Sequence, residues 1–265
     1  MDTRAIAFFD SGLGGLSIAR AAKALLPGER FLYAGDCANA PYGDKAPEFI
    51  LDRVTAFARF LFEKENAKAL VIACNTATAE AADALRARFP NEIIIGVEPA
   101  IKPAATFSKT RKIGMISTTR TATSRRYAQL IDHYAKDVEV ISKGCPGLME
   151  CVEAGDLDTP ATKALLHTYL DDMLEAGIDA LVLGCTHYPF LAPTIESITG
   201  PAVKLFTPDT AVARQIKRVL AQKDLLNDAK TSEPDIFFIA GDNEKRREIT
   251  RRLYAYPATF AELTL

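Results

Sequence analysis

Two cysteines stand where short apolar runs end and small hydroxyl or amide residues begin. Cys74 closes Ala69-Leu70-Val71-Ile72-Ala73 and precedes Asn75-Thr76; Cys185 closes Ala180-Leu181-Val182-Leu183-Gly184 and precedes Thr186-His187. A thiol so placed can serve as nucleophile or as acid/base, and a helix start beside it favours the thiolate. Asn75, Thr76 and Thr186 add neutral donors for a carboxylate. His187 can tune the neighbouring thiol or hydrogen-bond a ligand, although a lone loop histidine is more often just satisfied. Pro189 suits the first turn of a helix, which leaves 185–187 in an exposed loop. The two cysteine segments align with each other, and 6–15 aligns loosely with 113–123. The result is a weak internal repeat.

Other motifs are weaker. Asp10-Ser11-Gly12-Leu13-Gly14-Gly15 resembles the opening of a dinucleotide fingerprint, but Ser17 stands where the third small residue belongs and Asp36 lies past Gly35 and a turn. What remains is a glycine turn presenting backbone N–H groups to a small anion, with Asp10 buried beside it to accept from an ammonium or orient a thiol. A phosphatase loop fails at both cysteines, since Glu80 and Leu191 occupy the required arginine positions. Cysteine-hydrolase chemistry would use Cys185 and His187 and leave Cys74 idle. Pro41-Tyr42-Gly43 alone is an ordinary turn. Glu153, ahead of Gly155, reads as a helix-end surface acid, and Cys37, Cys145 and Cys151 as packed small hydrophobes. Lys245-Arg246-Arg247 with Arg251-Arg252, interleaved with acids, reads as a solvated helix face.

Composition narrows the classes. The 265 residues carry 32 Lys+Arg against 34 Asp+Glu, a net charge of −2 with no basic block to attract nucleic acid or a membrane surface. Five cysteines, an odd number without any Cys-x-x-Cys pair, and three histidines argue against a disulfide framework and a zinc site. No apolar run nears the roughly 18 residues that span a bilayer. The first residues lack the apolar stretch of a signal peptide, so a cytoplasmic protein is expected.

These residues need elements to hold them. Strand-like runs at 5–9, 30–34, 70–73, 93–97, 113–117, 138–142, 180–183, 203–206 and 236–240 alternate with helical patterns at 16–26, 48–65, 76–89, 124–134, 160–176, 210–222 and 243–253. Such alternation predicts an α/β fold with mainly parallel sheets, whose ligands sit at the carboxyl ends of strands. Two βαβ-rich halves predict two domains, 1–97 plus 207–265 and 98–206, the last segment packing back on the first half.

Taken together the chain resembles the glutamate racemases of the aspartate/glutamate racemase family. The likeness rests on Asp10-Ser11-Gly12, Asp36 with Pro41-Tyr42-Gly43, Cys74-Asn75-Thr76, the Thr-rich loop at 117–121, Cys145-Pro146 leading to Glu153, and Gly184-Cys185-Thr186-His187-Tyr188-Pro189. It departs from the family pattern where Asn39 or Ala40 replaces a usual arginine. The resemblance implies two pseudo-symmetric α/β domains with the active site in the cleft between them. It implies a cofactor-independent isomerase that interconverts L- and D-glutamate and supplies D-glutamate for peptidoglycan, hence for cell-wall biogenesis and cell shape. Cys74 and Cys185 would be the acid/bases, assisted by Asp10, His187 and Glu153. Ser11, Tyr42, Gly43, Asn75, Thr76 and Thr186 would contact the substrate. No metal or cofactor is expected. Glutamate is the expected partner, with a homodimer left open and neither nucleic acid nor membrane required.

Overall fold

The structure, a computed structural model, describes residues 2–229 and 233–265. Its strands are β1 (Ile6–Asp10), β2 (Phe31–Gly35), β3 (Ala69–Ile72), β4 (Ile94–Gly96), β5 (Lys112–Ser117), β6 (Glu139–Gly144), β7 (Ala180–Leu183), β8 (Lys204–Phe206), β9 (Asp235–Ile239) and β10 (Ala258–Ala261). The α-helices are α1 (Leu16–Leu25), α2 (Pro47–Arg59), α3 (Asn75–Arg88), α4 (Ile101–Phe107), α5 (Thr119–Ala122), α6 (Arg125–Tyr134), α7 (Leu148–Ala154), α8 (Pro160–Glu175), α9 (Ala192–Thr199), α10 (Asp209–Gln222) and α11 (Glu244–Tyr254). Local chemistry sets many of the starts. Thr159 caps α8 by accepting from Thr162 N ahead of Pro160, and Ser124 and Asn243 cap α6 and α11 likewise.

The chain divides into two compact units, Met1–Val97 with Asp209–Leu265, and Glu98–Pro208. The first holds a six-stranded sheet in the order β10-β9-β2-β1-β3-β4, the second a four-stranded sheet in the order β6-β5-β7-β8; every pairing is parallel. β1, β2, β3 and β7 are buried along their whole length, as strands covered on both faces must be. In the first unit Phe9 and Phe57 pack with ring centroids 4.9 Å apart inside a core that includes Leu61, Leu70 and Ile72. Ile113, Met115 and Val182 meet Ile101, Ala104 and Tyr127 in the second.

The weak repeat is a repeat of register. Ile6 pairs with Ala69 in one sheet as Ile113 pairs with Ala180 in the other. Ala73 N donates to Phe9 O at 2.7 Å, and Gly184 N to Ile116 O at 2.8 Å. Asp10 pairs with Gly35, and Ser117 with Gly144. Both glycines are forced by crowding. A Cβ on Gly35 would lie 2.8 Å from Gly12 O, and one on Gly144 would lie 2.8 Å from Thr119 Cα.

Several elements differ from expectation. The helix expected at 48–65 is α2 followed by a π-helical turn, Phe60–Lys64. Pro103 hides α4 from a pattern reading, yet it lies in the first turn, where no N–H is needed. β10 follows Pro257 and is half-exposed, an edge strand paired only to β9. Buried charged groups and their hydrogen bonds fasten the last segment to the rest of the first unit. Lys68 Nζ lies 2.6 Å from Glu29 Oε2 and donates to Leu225 O at 2.8 Å. Lys23 Nζ donates to Asp235 Oδ1 at 2.9 Å, and Tyr254 OH to Asp235 Oδ2 at 2.6 Å. Among the described residues no helix is long and apolar enough to cross a membrane.

Candidate active site

In the first unit the site grows from the carboxyl ends of β1, β2 and β3. Cys74 is the N-cap of α3, its Sγ accepting from Ala77 N at 3.4 Å and lying 3.5 Å from Ser11 Oγ. The N-terminus of this 14-residue helix favours negative charge on that sulfur. Asn75, the first residue of the helix, is buried with both Nδ2 and Oδ1 lacking a partner. Each such group costs about 1–3 kcal/mol unless something engages it. Thr76, also buried, follows it.

Asp10 ends β1 fully buried, and its Oδ1 accepts from Gly12 N at 2.8 Å. The glycine turn therefore directs that N–H at Asp10 rather than at an outside anion, which corrects the anion reading at Gly12. Just past β2, Asp36 is a hub. It accepts from Asn39 Nδ2 at 2.9 Å, from Tyr42 OH at 2.7 Å, and from Arg53 Nε and Nη2 at 2.8 Å each. Burial, then the Asp36 charge, pushes the Tyr42 phenol well above its ordinary range, so it stays a donor. Tyr42 and Gly43 open a 3₁₀ turn after the cis Ala40–Pro41 peptide. Arg53, on α2, is absent from the sequence-derived set. An arginine on an amphipathic helix carries no signal of the acid it will meet.

In the second unit Cys185, Thr186 and His187 follow β7 and are 5%, 1% and 2% exposed. The expected exposed loop is thus a buried one. Tyr188 explains it: Pro189 lies in a 3₁₀ turn, Tyr188–Leu191, rather than in an α-helix, and the fully buried Tyr188 donates to Ser117 O at 3.3 Å and Cys145 O at 3.2 Å. That bond pins the segment across the ends of β5 and β6. His187 Nδ1 lies 3.7 Å from Cys185 Sγ, and Nε2 lies 2.8 Å from Glu153 Oε1. Glu153, in the last turn of α7, is not a surface acid; its side chain is 15% exposed and backs the histidine. Thr118 caps α5 and donates to Thr121 Oγ1 at 3.0 Å, setting a hydroxyl pair at the end of β5.

The remaining cysteines behave as packing. Cys145 is buried, donates to Lys143 O at 3.4 Å, and is pushed up to about 12 by burial. Cys37 is buried and Cys151 half-buried. Among the described residues no group of three or more His, Cys, Asp or Glu side chains is arranged to hold a metal. Each unit therefore offers a strand-end thiol with a polar escort: hydroxyl and amide around Cys74, imidazole and carboxylate around Cys185. Such groups are able to exchange protons.

The sequence profile of the Asp/Glu/Hydantoin racemase family matches residues 16–216. A glutamate racemase of Ectopseudomonas mendocina (strain ymp) is 45% identical over 244 residues, covering 92% of each chain. Among solved structures, a glutamate racemase from Bacillus anthracis superposes with a TM-score of 0.89 at 31% identity, covering 100% of this chain and 99% of that one. Another, from Francisella tularensis subsp. tularensis SCHU S4 in complex with D-glutamate, gives 0.86 at 30% identity over 100% of this chain and 98% of that one.

Proposed function

The chain belongs to the Asp/Glu/hydantoin racemase family and interconverts L- and D-glutamate, and on that premise we propose that Cys74 and Cys185 are the two acid/bases that carry the α-proton. The observation carrying this is the pair of thiols at matched strand ends, one beside Ser11 and the uncommitted Asn75 amide, the other beside His187 and Glu153. Inversion needs a base on one face of the α-carbon and an acid on the other. Starting from D-glutamate, the Cys74 thiolate takes the proton and becomes a thiol. The Cys185 thiol then protonates the opposite face and becomes the thiolate. From L-glutamate the roles reverse.

The α-proton is weakly acidic, so the developing charge must be met by aimed donors in a water-poor setting. Asn75 Nδ2 and the hydroxyls of Thr76 and Thr186 supply such donors, with Ser11, Tyr42 and Gly43 completing the substrate contacts. Asp10 orients the turn beside Cys74. Glu153 holds His187 through Nε2, and so aims Nδ1 at the Cys185 sulfur, 3.7 Å away. The product D-glutamate feeds peptidoglycan synthesis. All five cysteines are thiols, which supports placing the enzyme in the reducing cytoplasm.

The test is α-proton exchange in deuterated water, followed by NMR with each enantiomer of glutamate and of aspartate. Both glutamate enantiomers should acquire deuterium and racemise. Cys74→Ser and Cys185→Ser should each lower racemisation by about 10²–10⁴-fold. Undiminished turnover in both variants would refute the two-thiol assignment. Faster exchange with aspartate would move the substrate to the shorter acid.

A further inference from the structure

A cavity of about 480 Å³ opens beside the carboxyl ends of β9 and β10, lined among others by Arg53, Ile239, Asp242, Arg247, Phe260 and Leu263. Parallel sheets collect ligands at this end, and the volume suits a small organic molecule. None of these side chains but Arg53 belongs to the racemase apparatus.

The lining has a definite chemistry. Arg53 spends Nε and Nη2 on Asp36, and Arg247 spends Nε and Nη2 on Asp242 Oδ2 at 2.7 and 2.5 Å. In both, Nη1 lies outside the ion pair and keeps its N–H donors for an anion. Asp242 Oδ1 is buried without a hydrogen-bond partner, so it calls for a donor. Ile239, Phe260 and Leu263 form the apolar wall. The charges around it are mixed: Glu262 lines the cavity, and on the adjoining α11 Lys245, Arg246, Arg251 and Arg252 stand against Glu244 and Glu248, so the anion's hold comes from the two aimed guanidiniums rather than from a general field.

We propose that this cavity binds a small organic anion that also carries an N–H donor, and that the bound ligand tunes the racemase site through Arg53. The anion meets the two guanidiniums, the donor meets Asp242, and a ring or alkyl body meets the apolar wall. A ligand that draws on Arg53 competes with its grip on Asp36, and Asp36 holds Tyr42, the residue at the head of the substrate turn.

The probe is 4-aminohippurate, which joins a carboxylate, an amide N–H and an aryl amine on one ring. Calorimetric titration of the full chain at low salt, with D-glutamate saturating the racemase site, should show one-to-one binding with Kd below about 1 mM. The methyl ester, which lacks the anion, should bind at least about tenfold more weakly, as should Arg247→Gln. Arg247 is 40% exposed at its side chain and outside the racemase machinery, so R247Q should fold and keep basal turnover. Bound probe should shift kcat or KM for glutamate at least about twofold in the wild type and not in R247Q. No binding, displacement by D-glutamate, or equal binding of acid and ester overturns the site; binding that leaves racemisation unchanged overturns the tuning. The kinetic readout rests on the racemase reading, whereas the calorimetric one does not.

Discussion

Glu153 reaches His187 across 34 residues of chain, and its charge is what the contact supplies. Glu153→Gln keeps the shape and a hydrogen bond but removes the carboxylate charge behind the imidazole, so kcat should fall about tenfold or more with the fold intact; NMR rates and circular dichroism check both. Cys145 makes the opposite point. Burial holds its thiol up to about 12, so at pH 8 it is neutral and shielded. Iodoacetamide on the native protein should leave Cys145 unmodified in peptide mass maps, while denatured protein is labelled there. The sign follows for stability. A raised value favours the protonated fold, so this contribution is complete below the unfolded thiol's value of about 8.5 and declines as pH rises toward 12. At this scale the two thiols, Asn75 and His187 were legible because each sits in or beside a strand-end motif. The pairings of Glu153 with His187 and Arg53 with Asp36 were not, since packing between elements made them.

Elements carry the site by holding turns in place. Arg53 brings α2 to the end of β2, where Asp36 is fully buried. Arg53→Gln leaves that carboxylate short of its countercharge and should cost about 3–5 kcal/mol in urea unfolding followed by circular dichroism. Gly144→Ala places a Cβ 2.6 Å from Thr119 Oγ1 and 2.8 Å from Thr119 Cα. The backbone atom cannot swing away, so a loss of about 1–3 kcal/mol is expected, read as a lowered Tm. Nine strand runs were legible from apolar continuity. β10 was not, because an edge strand with alternate residues exposed lacks that continuity. The burial of residues 185–187 was hidden for another reason: Tyr188 anchors them to carbonyls of β5 and β6 neighbours far away in sequence.

For the molecule as a whole, the chain leaves the first unit at Val97 and returns at Asp209. The returning segment supplies β9, which pairs with β2 and so covers an otherwise open edge. Buried charges fasten it. Lys68 and Glu29, 0% and 1% exposed at their side chains, join the start of the chain to Leu225 and Asn227. Lys68→Met should cost about 3–5 kcal/mol by leaving Glu29 uncompensated, and Lys68→Met with Glu29→Met should recover much of that. Urea unfolding of the single and double variants measures both. If the double variant is no more stable than the single, burial of unpaired charge is not the cause.

The two thiols occupy matching strand ends but rest on unlike supports: Cys74 caps a 14-residue helix, while Cys185 leads into a four-residue 3₁₀ turn and leans on His187. Enantiomers have the same free energy in water, so the equilibrium constant is unity and kcat/KM must be equal in the two directions. The unlike supports can therefore appear only as compensating differences. Whichever enantiomer shows the lower KM must turn over more slowly in the same proportion, and no substitution at either thiol's escort can make the enzyme run one way.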